Sequence, residues 1–174
     1  MDYYAKGLIV GIGVAMIFFM ALKLFRRKSL SEEAQYDERQ RIARGVAFKY
    51  AYWTLLLYIA LYAVVDLSGF RFCETFTGII IGVTLSLGVF ACTAIMKDAY
   101  VGINQNKRWW VILNIIVILA NAFATVPNFL EGNIIENGML SHGVVNILMV
   151  ILFSAVLITY AVHNRSIKTD EEDE

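Results

Sequence analysis

Long apolar runs separated by short charged ones set the pattern of this chain. Five runs are long enough to cross roughly 30 Å of hydrocarbon as a helix without an internal charge pair: Gly7 to Phe25, Val46 to Val65, Thr77 to Met96, Trp109 to Val126 and Gly143 to Val162. None shows the alternation of a barrel strand, about ten residues long. The pattern therefore predicts an all-α integral membrane helical bundle with five transmembrane helices. It makes one domain of residues 1–165 and leaves an acidic tail at 166–174, whose TDEEDE composition predicts disorder. Lys23 and Lys49 fall at the ends of their runs, where a long stem lies along lipid and lifts its ammonium to the headgroups.

Composition agrees with this reading. With 59% hydrophobic residues, one proline in 174 positions and a mean hydropathy of +0.62, the chain is not an ordinary soluble domain. Fifteen basic residues cancel fifteen acidic ones, so net charge gives no case for nucleic acid as a partner. Distribution is more informative. Arg26, Arg27, Lys28, Arg39, Arg41 and Arg44 precede the second run, Lys97, Lys107 and Arg108 follow the third, and Arg165 and Lys168 follow the fifth. The alternate connections hold only Lys6 and Arg71. Since positive charge stays on the cytoplasmic side, this bias predicts the N-terminus outside and the C-terminus inside. Aromatic residues mark the same two levels, with Phe48, Tyr50, Tyr52, Trp53, Tyr100, Trp109, Trp110 and Tyr160 at the inner boundary. The first run is too long for a signal peptide, and its charges, KLFRRK, come after it, so it is expected to stay.

Within lipid, helices associate through close backbone approach, and small residues permit it. Gly7, Gly11 and Ala15 repeat every fourth residue in the first run; Gly78, Gly82 and Ser86 do so in the third. Glycine is also simply common in membrane helices, and the spacing alone leaves both readings open.

The segment YDERQRIARG, Tyr36 to Gly45, places five charged side chains in ten positions. Upstream, Ser29 and Glu32 have capping-box spacing, which predicts a helix from near Leu30 straight into the second run. On that helix Asp37 and Glu38 face Arg41 at i+4 and i+3. Arginines alone would serve topology, so the added carboxylates point to specific pairing. The expected partner is MKDAY after the third run, with Asp98 pairing to Arg39 or Arg44 in one polar cluster. Asp37, Glu38, Arg39, Gln40, Arg41, Arg44, Lys97, Asp98 and Tyr100 are the candidate partner-binding residues. A solvated face of unrelated charges is the plainer alternative.

Y-D-E-R-Q-x-x-A-R-G-x-A-F-K-Y before one span, with K-D-A-Y after the next, resembles a group of small, uncharacterised multi-span membrane proteins of low-GC Gram-positive bacteria. The likeness covers most of Tyr36 to Tyr100. It implies an integral protein of the bacterial cytoplasmic membrane, similar to ones encoded beside short helix-turn-helix regulators, and brings no catalytic residue with it.

Candidate chemistry changes this picture little. His142 and His163, the only histidines, are expected on opposite sides of the membrane, and no HExxH, GxSxG, P-loop or CxxC pattern occurs. Cys73 and Cys92 lie nineteen residues apart, about 28 Å along a helix, too far for a disulfide; Cys73 is the candidate for intermolecular or redox chemistry. Asn114, Asn121, Thr125, Asn146 and Ser154 are polar positions inside spans, expected to bond between helices. The outer loop holds Glu131, Asn133, Glu136, Asn137 and His142, oxygen and nitrogen donors that also suit a plain turn. The expectation is a non-enzymatic protein without catalytic residue, metal or cofactor. Its partners are the lipid bilayer and a cytoplasmic protein bound at the charged face, with a homo-oligomer also open. The competing class is a small permease or channel subunit lined by Asn114, Asn121 and Asn146.

Overall fold

The computed structural model describes residues 34–172, of which 167–172 by their backbone alone. The run Gly7 to Phe25, with its Gly7, Gly11 and Ala15 stripe, and the Ser29–Glu32 capping box lie outside the described residues. Four long helices follow the remaining runs: α1 (Glu38–Leu67), α2 (Thr75–Met96), α3 (Lys107–Leu130) and α4 (Val145–Glu172). All four are long and apolar enough to cross a membrane. The backbone of α4 is helical as far as Glu172, within the segment that composition marks as a tail.

Successive helices run antiparallel, so their ends form two levels. α2 and α4 make the inner pair; α1 packs on α2 and α3 on α4. Only 6% of the apolar window is buried in α1 and in α3, against 28% in α2 and 17% in α4. The outer faces expose Leu57, Leu61, Val64, Leu119 and Phe123. Apolar surface of that extent is stable only against lipid or another apolar partner.

The small residues of α2 decide how α1 sits. A Cβ on Gly78 would lie 2.5 Å from the Tyr62 ring, and one on Gly82 would lie 2.4 Å from that of Tyr58. The two tyrosines, one helical turn apart, stack with centroids 5.8 Å apart in the space the glycines leave. The Tyr58 hydroxyl donates to the Gly78 carbonyl at 2.6 Å, and Ser86 Oγ donates to the Ala51 carbonyl at 2.9 Å. Thus the Gly78, Gly82, Ser86 repeat is a helix contact. Between α2 and α4 the core is Ala91, Ile95, Leu152 and Val156.

The polar residues inside the helices mostly bond their own backbone. Asn114 and Asn121 donate to the carbonyls four residues back, Trp110 and Val117, and Thr125 to that of Asn121. Asn146, which donates to the Ala124 carbonyl of α3 at 3.3 Å, is the asparagine among them that crosses between helices. A carbonyl within the same turn is the nearest acceptor for a short side chain in lipid, and it needs no partner helix.

At the far level, the connection from α3 to α4 forms a hairpin, β1 (Ile135–Glu136) with β2 (Met139–Leu140). Asn137 and Gly138 both have positive φ, 52° and 78°, the geometry a two-residue hairpin turn requires. The Leu140 carbonyl accepts from Glu74 N–H, and Leu140 N–H donates to Phe72, so the hairpin ties down the residues before α2.

Candidate functional site

The charged level is built around the end of α2. Lys97 is its C-cap and Asp98 turns left-handed at φ 54°. Ala99 N–H reaches back to the Ala94 carbonyl at 2.8 Å and Asp98 N–H to that of Ile95 at 2.9 Å, a complete Schellman stop. The chain then leaves with the carbonyls of Asp98, Ala99 and Tyr100 in need of donors.

α1 supplies them. Tyr36, Gln40 and Arg44 are spaced by four, and all three side chains reach this turn. The Tyr36 hydroxyl donates to the Tyr100 carbonyl at 3.4 Å and Gln40 Nε2 to that of Asp98 at 2.7 Å. Arg44 donates to the Ala99 carbonyl at 3.1 Å and that of Tyr100 at 3.5 Å. Its guanidinium also lies 4.3 Å from the centre of the Tyr36 ring and 5.5 Å from that of Phe90. The two short motifs, DERQ with its following arginine and KDAY, therefore meet in space as a clamp between side chains and backbone.

The start of α1 differs from the expected one. Residues 34–37 are not helical; Asp37 is the N-cap, and its carboxylate accepts from Gln40 N–H at 2.6 Å. Glu38 occupies the first turn, where the helix dipole favours an acid. Gln40 stands at the capping-box position but turns its amide to Asp98 instead, leaving Oε1 buried without a partner. The Asp37 carboxylate is turned to the helix end, and neither Asp37 nor Glu38 forms an ion pair with Arg41.

Asp98 does not pair with Arg39 or Arg44. Its carboxylate lies 2.9 Å from His163 Nε2 on α4. Arg44 is committed to carbonyls, while Arg39, exposed on the next face, lines the cavity beside this turn. Arg39, Arg41 and Lys97 are exposed, with no hydrogen bond or ion pair among the described residues. Of the candidate residues, Gln40, Arg44, Asp98 and Tyr100 come together at the turn; Glu38, Arg41 and Lys97 face outward, and Arg39 is exposed at the neighbouring cavity. His163 and Lys107 belong to the same level, and neither stood among the candidates. A lone histidine just past the apolar run that ends at Val162 gave no signal of its own.

Aromatic rings run across the bundle just beneath the clamp. Phe48 and Phe90 have centroids 4.4 Å apart, Tyr100 and Trp110 5.3 Å, and Trp110 and Tyr160 5.1 Å. Phe90 and Tyr100 join the two halves at 6.4 Å. Burial pushes the Tyr100 phenol above its ordinary pKa, and the Arg44 guanidinium partly opposes the shift. Beside this row opens a cavity of about 420 Å³, lined among others by Arg39, Asp98, Lys107, Tyr160 and His163. All four helices or their ends contribute to it.

At the opposite level, Asn133 donates to the Glu131 carboxylate at 2.8 Å, and His142 lies 3.8 Å from that of Glu74. Asn137 is spent on the hairpin turn. Among the described residues no three His, Cys, Asp or Glu side chains gather in a group able to hold a metal. Cys73 is buried, with Sγ 4.0 Å from the Tyr62 hydroxyl, and burial raises its thiol pKa. That leaves it poorly placed for the intermolecular or redox role that its loop position suggested. Comparison of the chain with family models, curated proteins and solved structures gives no match.

Proposed function

We propose that the protein is a multi-pass protein of the bacterial cytoplasmic membrane, with five crossings, N-terminus out and C-terminus in. It works without catalysis, as an accessory or regulatory protein whose charged end binds a cytoplasmic protein. The apolar outer faces of α1 and α3 support the membrane location, and the bias of Lys and Arg between alternate connections supports the orientation. The observation that carries the docking role is the division of labour along Tyr36 to Arg44. One face of the segment, Tyr36, Gln40 and Arg44, is spent on the turn after α2, which makes the end of α1 a rigid post. The other face presents Glu38, Arg39 and Arg41 to solvent without partners of their own among the described residues. Charges of both signs, held rigidly and unpaired, suit recognition of a complementary protein surface.

The permease alternative has less support, because Asn114 and Asn121 direct their amide N–H groups to α3 itself. A photo-crosslinking residue at position 38 tests the docking role in living cells. One discrete protein adduct, lost when Arg39 and Arg41 are both changed to Ala, is the expected result. A diffuse smear, or adducts that persist in that variant, overturns it.

A further inference from the structure

We propose that the cavity at the charged end binds a phosphate group. This goes beyond the docking role and does not depend on it. Arg39 reaches the cavity from α1 and Lys107 from the first position of α3, and neither has a partner among the described residues. Two cations on separate helices that line one cavity offer an anion charge-assisted hydrogen bonds from both sides. The one carboxylate on the wall, Asp98, is turned to His163 at 2.9 Å, so it does not neutralise either cation by contact. At about 420 Å³ the space is far larger than a bare phosphate needs, and the rest of its wall includes Ile95, Ile103 and Tyr160. An apolar wall beside two cations fits a phosphate that carries an organic part. Two sources share this chemistry: the headgroup of an anionic phospholipid and a soluble phosphate ester. The adjoining row of Tyr100, Trp110 and Tyr160 has the composition of a membrane boundary, the depth at which lipid phosphates lie.

Full-length protein in neutral detergent tests this with two probes. Native mass spectrometry reads retention of phosphatidylglycerol against phosphatidylcholine, and calorimetry reads binding of glycerol 3-phosphate. For at least one phosphate probe, binding is expected to weaken about tenfold or more when Arg39 and Lys107 are both changed to Ala, and to persist in Arg71→Ala at the opposite level. Lys107→Glu alone should weaken it as well, and it leaves the clamp of α1 untouched. Retention of phosphatidylglycerol without binding of the soluble ester assigns the site to lipid; binding of the ester assigns it to a soluble ligand. Failure of both probes to bind overturns the proposal. So does equal binding by the double variant, equal retention of phosphatidylcholine, or an equal loss in Arg71→Ala.

Discussion

Arg44→Ala removes the strongest link between α1 and the turn after α2. In the intact protein the half-buried guanidinium donates to the Ala99 carbonyl at 3.1 Å, marginally to that of Tyr100 at 3.5 Å, and sits over the Tyr36 ring at 4.3 Å. A hydrogen bond from a charged group is worth roughly 1.5–3 kcal/mol, and a partly exposed cation–π contact adds about 0.5–1 kcal/mol. Ala99 is fully buried, so water replaces the lost donor poorly. The expected cost is about 2–4 kcal/mol. Denaturant or thermal unfolding of the full chain in nanodiscs, followed by far-UV circular dichroism, measures it. Arg44→Lys keeps the charge but not the fork, and should fall between Ala and wild type. Combined with Gln40→Ala, which frees the same turn from a second donor, the losses should be non-additive. A cost for Arg44→Ala within about 0.5 kcal/mol, or an equal cost for the exposed Arg41→Ala, refutes the clamp.

Gly82→Val should destabilise the protein by about 1–3 kcal/mol in the same assay, because its Cβ meets the Tyr58 ring. Gly45→Ala has nothing within 4 Å and should stabilise α1 by up to about 1 kcal/mol. Gly138→Val places a β-branched residue at φ 78° and should loosen the hairpin, seen as faster amide exchange at Glu74 and Leu140. Burial raises the Cys73 pKa, so its thiolate is scarcer at neutral pH than in the unfolded chain. Maleimide labelling in the folded protein should therefore be much slower than in denaturant and should quicken as pH rises. The same shift lowers stability above the ordinary thiol pKa, where the unfolded chain loses its proton first.

The helices were legible because lipid demands long apolar runs, and α1 to α4 follow four of them within a few residues, except where α1 and α4 extend into charged flanks. α3 also runs past Pro127 to Leu130, beyond the Val126 at which the apolar run was expected to end, although the proline removes one intrahelical hydrogen bond. The meeting of the DERQ and KDAY segments was legible as well, but not its chemistry. Pairing opposite charges suggested Asp98 with an arginine. The structure instead gives the arginine to backbone carbonyls, because a Schellman turn strands acceptors that sequence does not display. Asp37 reads as an ion-pair partner in a charged string and acts as an N-cap, a role fixed by where the helix starts. Asn137-Gly138 carried a hairpin signal between apolar neighbours that a general reading as turn-rich loop passed over.

The proposed docking role depends on which side of the bilayer holds the clamp. With Cys73 and Cys92 replaced, Arg39→Cys and Arg71→Cys place single thiols at opposite levels, both at exposed positions. A membrane-impermeant maleimide applied to intact cells should label position 71 at once and position 39 only after permeabilisation. Labelling of position 39 in intact cells, with position 71 protected, contradicts the orientation and moves the proposed docking face outside the cell.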